Sequence, residues 1–103
     1  MFKFLRRESK ADAVVAVMDE AVGIAADKWR FFCDKLPFRK DVPLADRIAS
    51  FMFPFEEGAR KRFPALKDAP GTVLLLIVAM GVERSGTHTR AQIEQALGFS
   101  LPG

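Results

Sequence analysis

Residues 10–36 of the chain read KADAVVAVMDEAVGIAADKWRFFCDKL. Apolar residues recur in this stretch at alternating steps of four and three, which is the spacing of one face of a long helix. These positions are Ala11, Val15, Met18, Val22, Ala25, Trp29, Phe32 and Leu36. Asp12, Asp19, Asp27, Arg30 and Asp34 follow the opposite face. Since Pro37 cannot continue the hydrogen-bond ladder, the pattern predicts a long amphipathic helix over about residues 10–36.

The middle of the chain is divided by proline, with five of the six prolines between positions 37 and 70. A second helix is predicted over about residues 42–63, with Asp41 as its cap and Pro43 in its first turn. Pro54 interrupts this helix, by kinking it or by starting a new one. Acidic residues directly after Pro54 and basic residues at 60–62 favour a new start, because both suit a helix dipole.

Two further helices are predicted in the last third of the chain. The eight apolar residues at 73–80 suit a buried strand or a buried helix. No other segment alternates with a period of two, so a strand would lack a partner, and we expect a buried helix over about residues 69–84. Thr89 and Gln92 have capping-box spacing, and Gly98 suits a helix end, so a short helix is expected at about residues 89–98.

The chain is therefore predicted to be an all-α bundle of four to five helices. Its length of 103 residues suits one domain, and half of the residues are hydrophobic, as a folded core requires. Residues 1–8 are basic, and we expect them to be flexible or docked on the body of the domain.

Residues that carry enzyme chemistry are few. Cys33 is the only cysteine and His88 the only histidine, so zinc and iron–sulfur sites are not expected. No Gly-x-Gly spacing suggests a phosphate loop. We expect His88 to be a solvent-exposed turn residue and Cys33 to pack as a small hydrophobic residue. The sequence thus predicts a non-enzymatic protein without catalytic residues, metal or cofactor.

Aromatic residues are concentrated in the middle of the chain, where seven of the ten phenylalanines lie between positions 31 and 63. On a helix, Phe53 would project away from the face that carries Phe51 and Phe55. A bent chain would pack Phe53 elsewhere in the core, whereas an exposed Phe53 would serve as an anchor for a protein partner. The candidate partner-binding residues are Phe51, Phe53, Phe55 and Trp29.

Basic residues form a second group of candidates, at Arg60, Lys61, Arg62 and Lys67. They are candidate phosphate contacts, and with the basic residues at 84–90 they suggest a small nucleic-acid-binding domain as the alternative function. A solvated helix end that complements the helix dipole is the simpler interpretation, because the net charge is only +3.

The segment TRAQIEQALGFS at residues 89–100 resembles the helix before the turn in helix-turn-helix DNA-binding domains. The resemblance implies a recognition helix after the turn, but only residues 101–103 follow, so no DNA-contacting residue is carried over. If the last helix itself entered a groove of DNA, its candidate contacts would be Arg90, Gln92 and Gln95.

Membrane contact is limited to one candidate, since the apolar and basic residues 2–7 suit weak binding to an anionic surface. The longest uncharged stretch, residues 69–82, would span about 21 Å as a helix, against about 30 Å for a bilayer core. With one cysteine and no export signal, the cytoplasm is the expected compartment.

The best overall interpretation is a cytoplasmic helical protein-interaction module that forms a homodimer. A helix over residues 10–36 would be about 40 Å long, more than the roughly 33 Å diameter of a compact domain of this size. Unless the helix breaks at Gly23 or the amino-terminal segment folds back over it, its apolar stripe would need a second copy to cover it.

Overall fold

The computed structural model of the chain describes residues 10–35 and 41–102. Within these residues it contains four α-helices: α1 (Lys10–Lys35), α2 (Leu44–Arg62), α3 (Gly71–Ser85) and α4 (Arg90–Leu97). A short 3₁₀ helix, Pro64–Leu66, lies between α2 and α3, and the described residues form no strand. The predicted all-α bundle is confirmed, and residues 73–80 are helical, as the lack of a partner strand indicated.

Helices α1 and α3 run parallel and approach each other closely. The contact centres on Gly81 of α3, where an added methyl group would lie 2.6 Å from the Cβ of Ala25 and 3.0 Å from the backbone nitrogen of Ala26. One turn further along both helices, Arg30 Nε donates a hydrogen bond of 3.2 Å to the carbonyl of Ser85. A side chain at position 81 would therefore push the two helix backbones apart.

Helix α2 returns antiparallel to α1 and closes the core. At its first half the ring of Phe51 lies 5.5 Å from that of Phe32, and at its end Arg62 bonds Glu20. The central helix, α3, is buried on most sides, at Leu74, Ile77, Val78, Ala79, Gly81 and Val82. Helix α4 adds Ile93 to the core.

Helix α2 is continuous through Pro54, so the predicted new start at this residue is wrong. The proline costs the helix one hydrogen bond, to the carbonyl of Ser50, but both residues are exposed and water can satisfy that carbonyl. The residues on either side of Pro54 hold the helix in place through one buried face. They are Ile48, Phe51, Phe55 and Ala59.

The helix caps follow the sequence signals only in part. Asp41 does not cap α2, because Pro43 itself occupies the cap position and leaves Asp41 two residues too early. By contrast, the predicted capping box of α4 is confirmed: Gln92 N donates to Thr89 Oγ1 at 3.1 Å, and Thr89 N donates to Gln92 Oε1 at 2.8 Å. Gly98 ends this helix with φ 79°, as expected.

The apolar stripe of α1 is buried in its middle and open towards its start. Val22, Ala25 and Trp29 are fully buried, whereas Val15 is 67% exposed. The side chain of Ala11 and residue Leu36 lie outside the described part, as do residues 1–8 with the membrane contact proposed for residues 2–7. Across the described residues, the helices fall short of the length and apolarity that a membrane span requires.

Candidate functional site

An open groove of about 880 Å³ lies between the second half of α1 and helix α2. Five aromatic residues from the two helices and from the segment that follows α2 line it. They are Phe31, Phe32, Phe51, Phe55 and Phe63. We call this feature the aromatic groove. It forms where α2 packs against α1, and its lining includes Ile24 and Phe31 from α1 and Phe55 from α2.

The floor of the aromatic groove is a set of rings in defined contact. Phe51 meets Trp29 edge-on, with ring centroids 5.4 Å apart, and stacks on Phe55 at 5.7 Å. Trp29 in turn stacks on Phe32 at 5.5 Å and donates its indole N–H to Thr87 Oγ1 at 2.8 Å. Such pairs favour specific ring geometries, so the groove is largely formed before anything binds to it.

The rim of the aromatic groove carries only positive charge: Lys28, Lys35 and Arg62 line it, and no acidic residue does. Among the described residues Lys28 and Lys35 form no ion pair, and the Lys35 ammonium lies 5.3 Å from the centre of the Phe31 ring. Arg62 bonds Glu20 at 3.1 Å in an exposed pair. The groove therefore combines an apolar floor with a cationic edge.

The predicted partner-binding residues fall into two classes. Trp29, Phe51 and Phe55 are buried in the core, and only the edges of Phe51 and Phe55 reach the groove. Phe53 is 80% exposed, on the face of α2 opposite to the groove, so the interpretation that packs it in the core is wrong. The exposure of Phe53 follows from helix geometry, because Phe53 lies about 200° around the helix axis from the buried Phe51.

Phe31 is the aromatic residue that the sequence pattern missed, and it is 63% exposed on the wall of the groove. The sequence pattern that could have identified Phe31 lies beside the main apolar stripe of α1. Ile24, Lys28, Phe31 and Lys35 are spaced by four, three and four, so they form a second, mixed face of the same helix.

The basic residues at 60–67 are mostly engaged within the fold. Arg60 bonds Glu56 at 2.9 Å and donates to the carbonyls of Leu66 and Lys67 at 2.8 and 2.9 Å, which ties the end of α2 to the 3₁₀ helix. Lys61 lies 3.7 Å from Glu57, and Arg62 bonds Glu20. Lys67 is exposed and forms no ion pair among the described residues.

The basic residues at 84–90 join helices in the same way. Arg84 bonds Asp19 of α1 at 2.9 Å. Arg90 bonds both carboxylate oxygens of Glu83 at 3.0 Å, and these hydrogen bonds lower the pKa of the Glu83 carboxyl. These arginines thus hold α3 to its neighbours.

His88 belongs to a small polar cluster at the end of α3. Its Nδ1 lies 2.9 Å from Thr87 Oγ1, which lies 3.0 Å from Ser85 Oγ. The ring is half-buried against Trp29, so the expected solvent-exposed turn histidine is wrong. Burial, helped by the nearby charge of Arg47, lowers the pKa of His88. Both effects favour the neutral imidazole.

Cys33 is half-buried beside the core. Burial raises the pKa of its thiol, Arg47 opposes this effect and Asp34 adds to it. The thiol is therefore protonated and weakly reactive at neutral pH. Among the described residues, no three histidine, cysteine, aspartate or glutamate side chains are placed to hold a metal ion.

A second apolar surface, of about 510 Å³, lies between the first half of α1, the 3₁₀ helix and the start of α3. Its apolar lining includes Val14, Val15, Met18, Val73 and Leu76, and Asp68 is the one charged residue in it. This surface differs from the aromatic groove in having almost no charge.

No family model matches the sequence, and comparisons with curated proteins and with solved structures gave no match. A proposal for the function therefore rests on the geometry of the chain itself.

Proposed function

We propose that this protein is a helical interaction module that holds a helix of a partner protein in its aromatic groove. The supporting observation is a half-open apolar groove with a floor of rings in fixed contact. Enclosed cavities suit small molecules, whereas a groove that is open along one side suits an amphipathic helix laid lengthwise.

The length of the groove supports this assignment. From Ile24 to Lys35 the wall spans twelve residues of α1, an axial rise of about 17 Å or three helical turns. A partner helix of three turns would present apolar side chains at i, i+3 or i+4, and i+7 to this floor. Phe31 stands exposed on the wall, where an aromatic side chain contributes most to binding.

The test uses a helix-stapled peptide of about three turns with leucines on one face and glutamines elsewhere. Fluorescence anisotropy of the labelled peptide should show binding to the full chain. Phe31→Ala should weaken binding by about tenfold or more. Phe53→Ala, which removes an exposed aromatic from the face of α2 opposite to the groove, should not change it.

A second variant fills the groove instead of trimming it. An added Cβ atom at Gly58 would meet no atom within 4 Å, and Gly58 lines the groove, so Gly58→Leu should fold and occupy the groove. The Gly58→Leu protein should not bind the peptide, and its midpoint of thermal unfolding should stay at or above that of the parent chain. Peptide affinity that is unchanged in both Phe31→Ala and Gly58→Leu would show that the groove is not the binding site.

We also propose that two copies pair through the second apolar surface. Pairing groove on groove about a two-fold axis would bring Lys28, Lys35 and Arg62 of one copy against the same cations of the other. The second apolar surface has only Asp68, and its exposed Val15 lies near the start of a helix 26 residues long. It therefore suits self-association better.

Sedimentation equilibrium at micromolar concentration tests this pairing. We expect a dimer for the parent chain and a monomer for Val15→Glu, whose exposed position should tolerate the charge without unfolding. A parent mass near 11.5 kDa would show that the dimer is wrong. The nucleic-acid alternative has less support, because Arg60 is held within the fold by Glu56 and by the carbonyls of Leu66 and Lys67.

A further inference from the structure

We infer that the partner helix of the aromatic groove is acidic, with carboxylates along the edges of its apolar face. This inference rests on the proposed function and specifies the chemistry of the partner. It comes from the charge of the rim, where three cations and no anion surround the apolar floor.

Two of these cations lie on one side of the groove at a helical repeat. Lys28 and Lys35 are seven residues apart on α1, so their Cα atoms lie about 10.5 Å apart along the axis. A bound helix running along α1 would meet them with carboxylates that are also seven residues apart. Both lysines are exposed and have no ion pair among the described residues, so no ion pair has to break before a partner carboxylate binds.

The third cation, Arg62, comes from the end of α2. It already bonds Glu20 at 3.1 Å, but the two side chains are 60% and 59% exposed. Exposed pairs of this kind contribute little to stability, so a carboxylate of the partner can replace Glu20 at small cost.

The acidic residues of α1 beside these lysines do not cancel the charge of the rim. Asp27 and Asp34 each directly precede a lysine, so they point about 100° away around the helix and do not line the groove. Asp27 is also bonded to Arg30 at 2.9 Å. The charged side chains that line the groove are therefore all positive.

A fatty acid would also suit an apolar floor with a cation. It carries a single carboxylate, however, and would leave two of the three cations without a partner. An acidic helix can pair with all three, so the number and spacing of the cations favour the helix.

The test compares three stapled peptides that share one leucine face and differ only in the residues beside it, which are glutamate, glutamine or lysine. Anisotropy should show that the full chain binds the glutamate peptide about tenfold more tightly than the glutamine peptide. The lysine peptide should bind most weakly. This preference should shrink between roughly 50 and 300 mM salt, because salt screens exposed charges.

The double variant Lys28→Glu/Lys35→Glu should reverse the order, so that the lysine peptide binds more tightly than the glutamate peptide. Lys67→Glu is the control, because Lys67 is exposed, outside the groove and of the same charge. It should leave the order unchanged. Circular dichroism melting curves should be the same for all three proteins, since these side chains are exposed.

Equal binding of the glutamate and lysine peptides to the parent chain would overturn the inference, as would an unchanged order in the double variant. If the glutamine peptide binds and glutamate gives no advantage, the groove still binds helices and only the acidic partner is refuted. If no peptide binds but dodecanoate displaces a fluorescent fatty acid from the chain, both the helix-binding function and the acidic partner are refuted.

Discussion

Replacing Gly81 with alanine should destabilise the protein, although alanine is the better helix former. A methyl group at this position would lie 2.6 Å from the Cβ of Ala25, and carbon atoms in good contact are about 3.5–4.0 Å apart. The same methyl would lie 3.0 Å from the Ala26 nitrogen and 3.1 Å from the Ala25 carbonyl carbon. These are backbone atoms, so no rotation of a flexible side chain relieves the clash.

The size of the effect follows from two opposing terms. Overpacking a core position costs about 1–3 kcal/mol, and contact with rigid backbone places Gly81→Ala near the upper end. The higher helix propensity of alanine offsets about 1 kcal/mol of this cost. The net loss should be about 2 kcal/mol, which lowers the melting temperature by roughly 8–16 °C for a domain of this size.

The assay is thermal and urea denaturation, followed by circular dichroism, with Gly58→Ala as the matched control. Gly58 is also a helix-interior glycine, but an added methyl group there meets nothing within 4 Å. Gly58→Ala should therefore stabilise the protein by about 0.5–1 kcal/mol. The two substitutions are chemically identical, so opposite signs would isolate the close approach of α1 and α3.

A Gly81→Ala protein that is as stable as the parent, while Gly58→Ala is stabilised as expected, would refute this reasoning. It would mean that α1 and α3 are further apart than described. A second check is Ala25→Gly in the Gly81→Ala background. Removing the opposing methyl should recover part of the loss, so the two changes should cost less together than their sum.

Four other substitutions or measurements test single contacts. Phe53→Ala should change the free energy of unfolding by no more than about 0.5 kcal/mol, since the ring is exposed; a loss of about 3 kcal/mol would show that it belongs to the core. Thr87→Val should cost about 1–3 kcal/mol in urea denaturation, because it leaves the indole N–H of the buried Trp29 without its acceptor. Because burial lowers the pKa of His88, the contribution of this residue to the free energy of unfolding should fall as the pH drops from 6.5 to the lowered value. His88→Gln should remove this component from a pH series of urea midpoints. At pH 8 Cys33 should react with iodoacetamide more slowly than the cysteine of an unfolded peptide, because burial raises the pKa of its thiol. In urea, where the chain is unfolded, the two cysteines should react equally fast.

The sequence predicted the helices well because their signals are local. The heptad spacing around Val22 and Trp29 places both in the core, and Thr89 with Gln92 defines the start of α4. Each of these signals depends on residues within one or two turns of each other. Regular spacing and capping hydrogen bonds are properties of the isolated segment, so they can be predicted without knowledge of the fold.

Features that depend on contacts between distant segments could not be predicted in this way. Pro54 remains inside α2 because residues on both sides of it are buried against other helices. His88 lies in the turn between α3 and α4, and it is half-buried because its ring contacts Trp29 of α1. The aromatic groove likewise exists only because Phe31 of α1 and Phe55 of α2 line the same cavity, and the spacing within either helix does not indicate this.

The parallel packing of α1 and α3 has a consequence for how the chain is made. Hydrogen bonds from α1 to α3 and to the turn after it link residues 55 to 65 positions apart: Arg30 to Ser85, Trp29 to Thr87, and Asp19 to Arg84. A ribosome adds about 5–20 residues per second, so α3 emerges roughly 3–13 s after the part of α1 that it covers. During this interval the buried face of α1 has only α2 to pack against. Nascent chains of this protein should therefore be most prone to aggregation, and most dependent on chaperones, just before α3 leaves the ribosome.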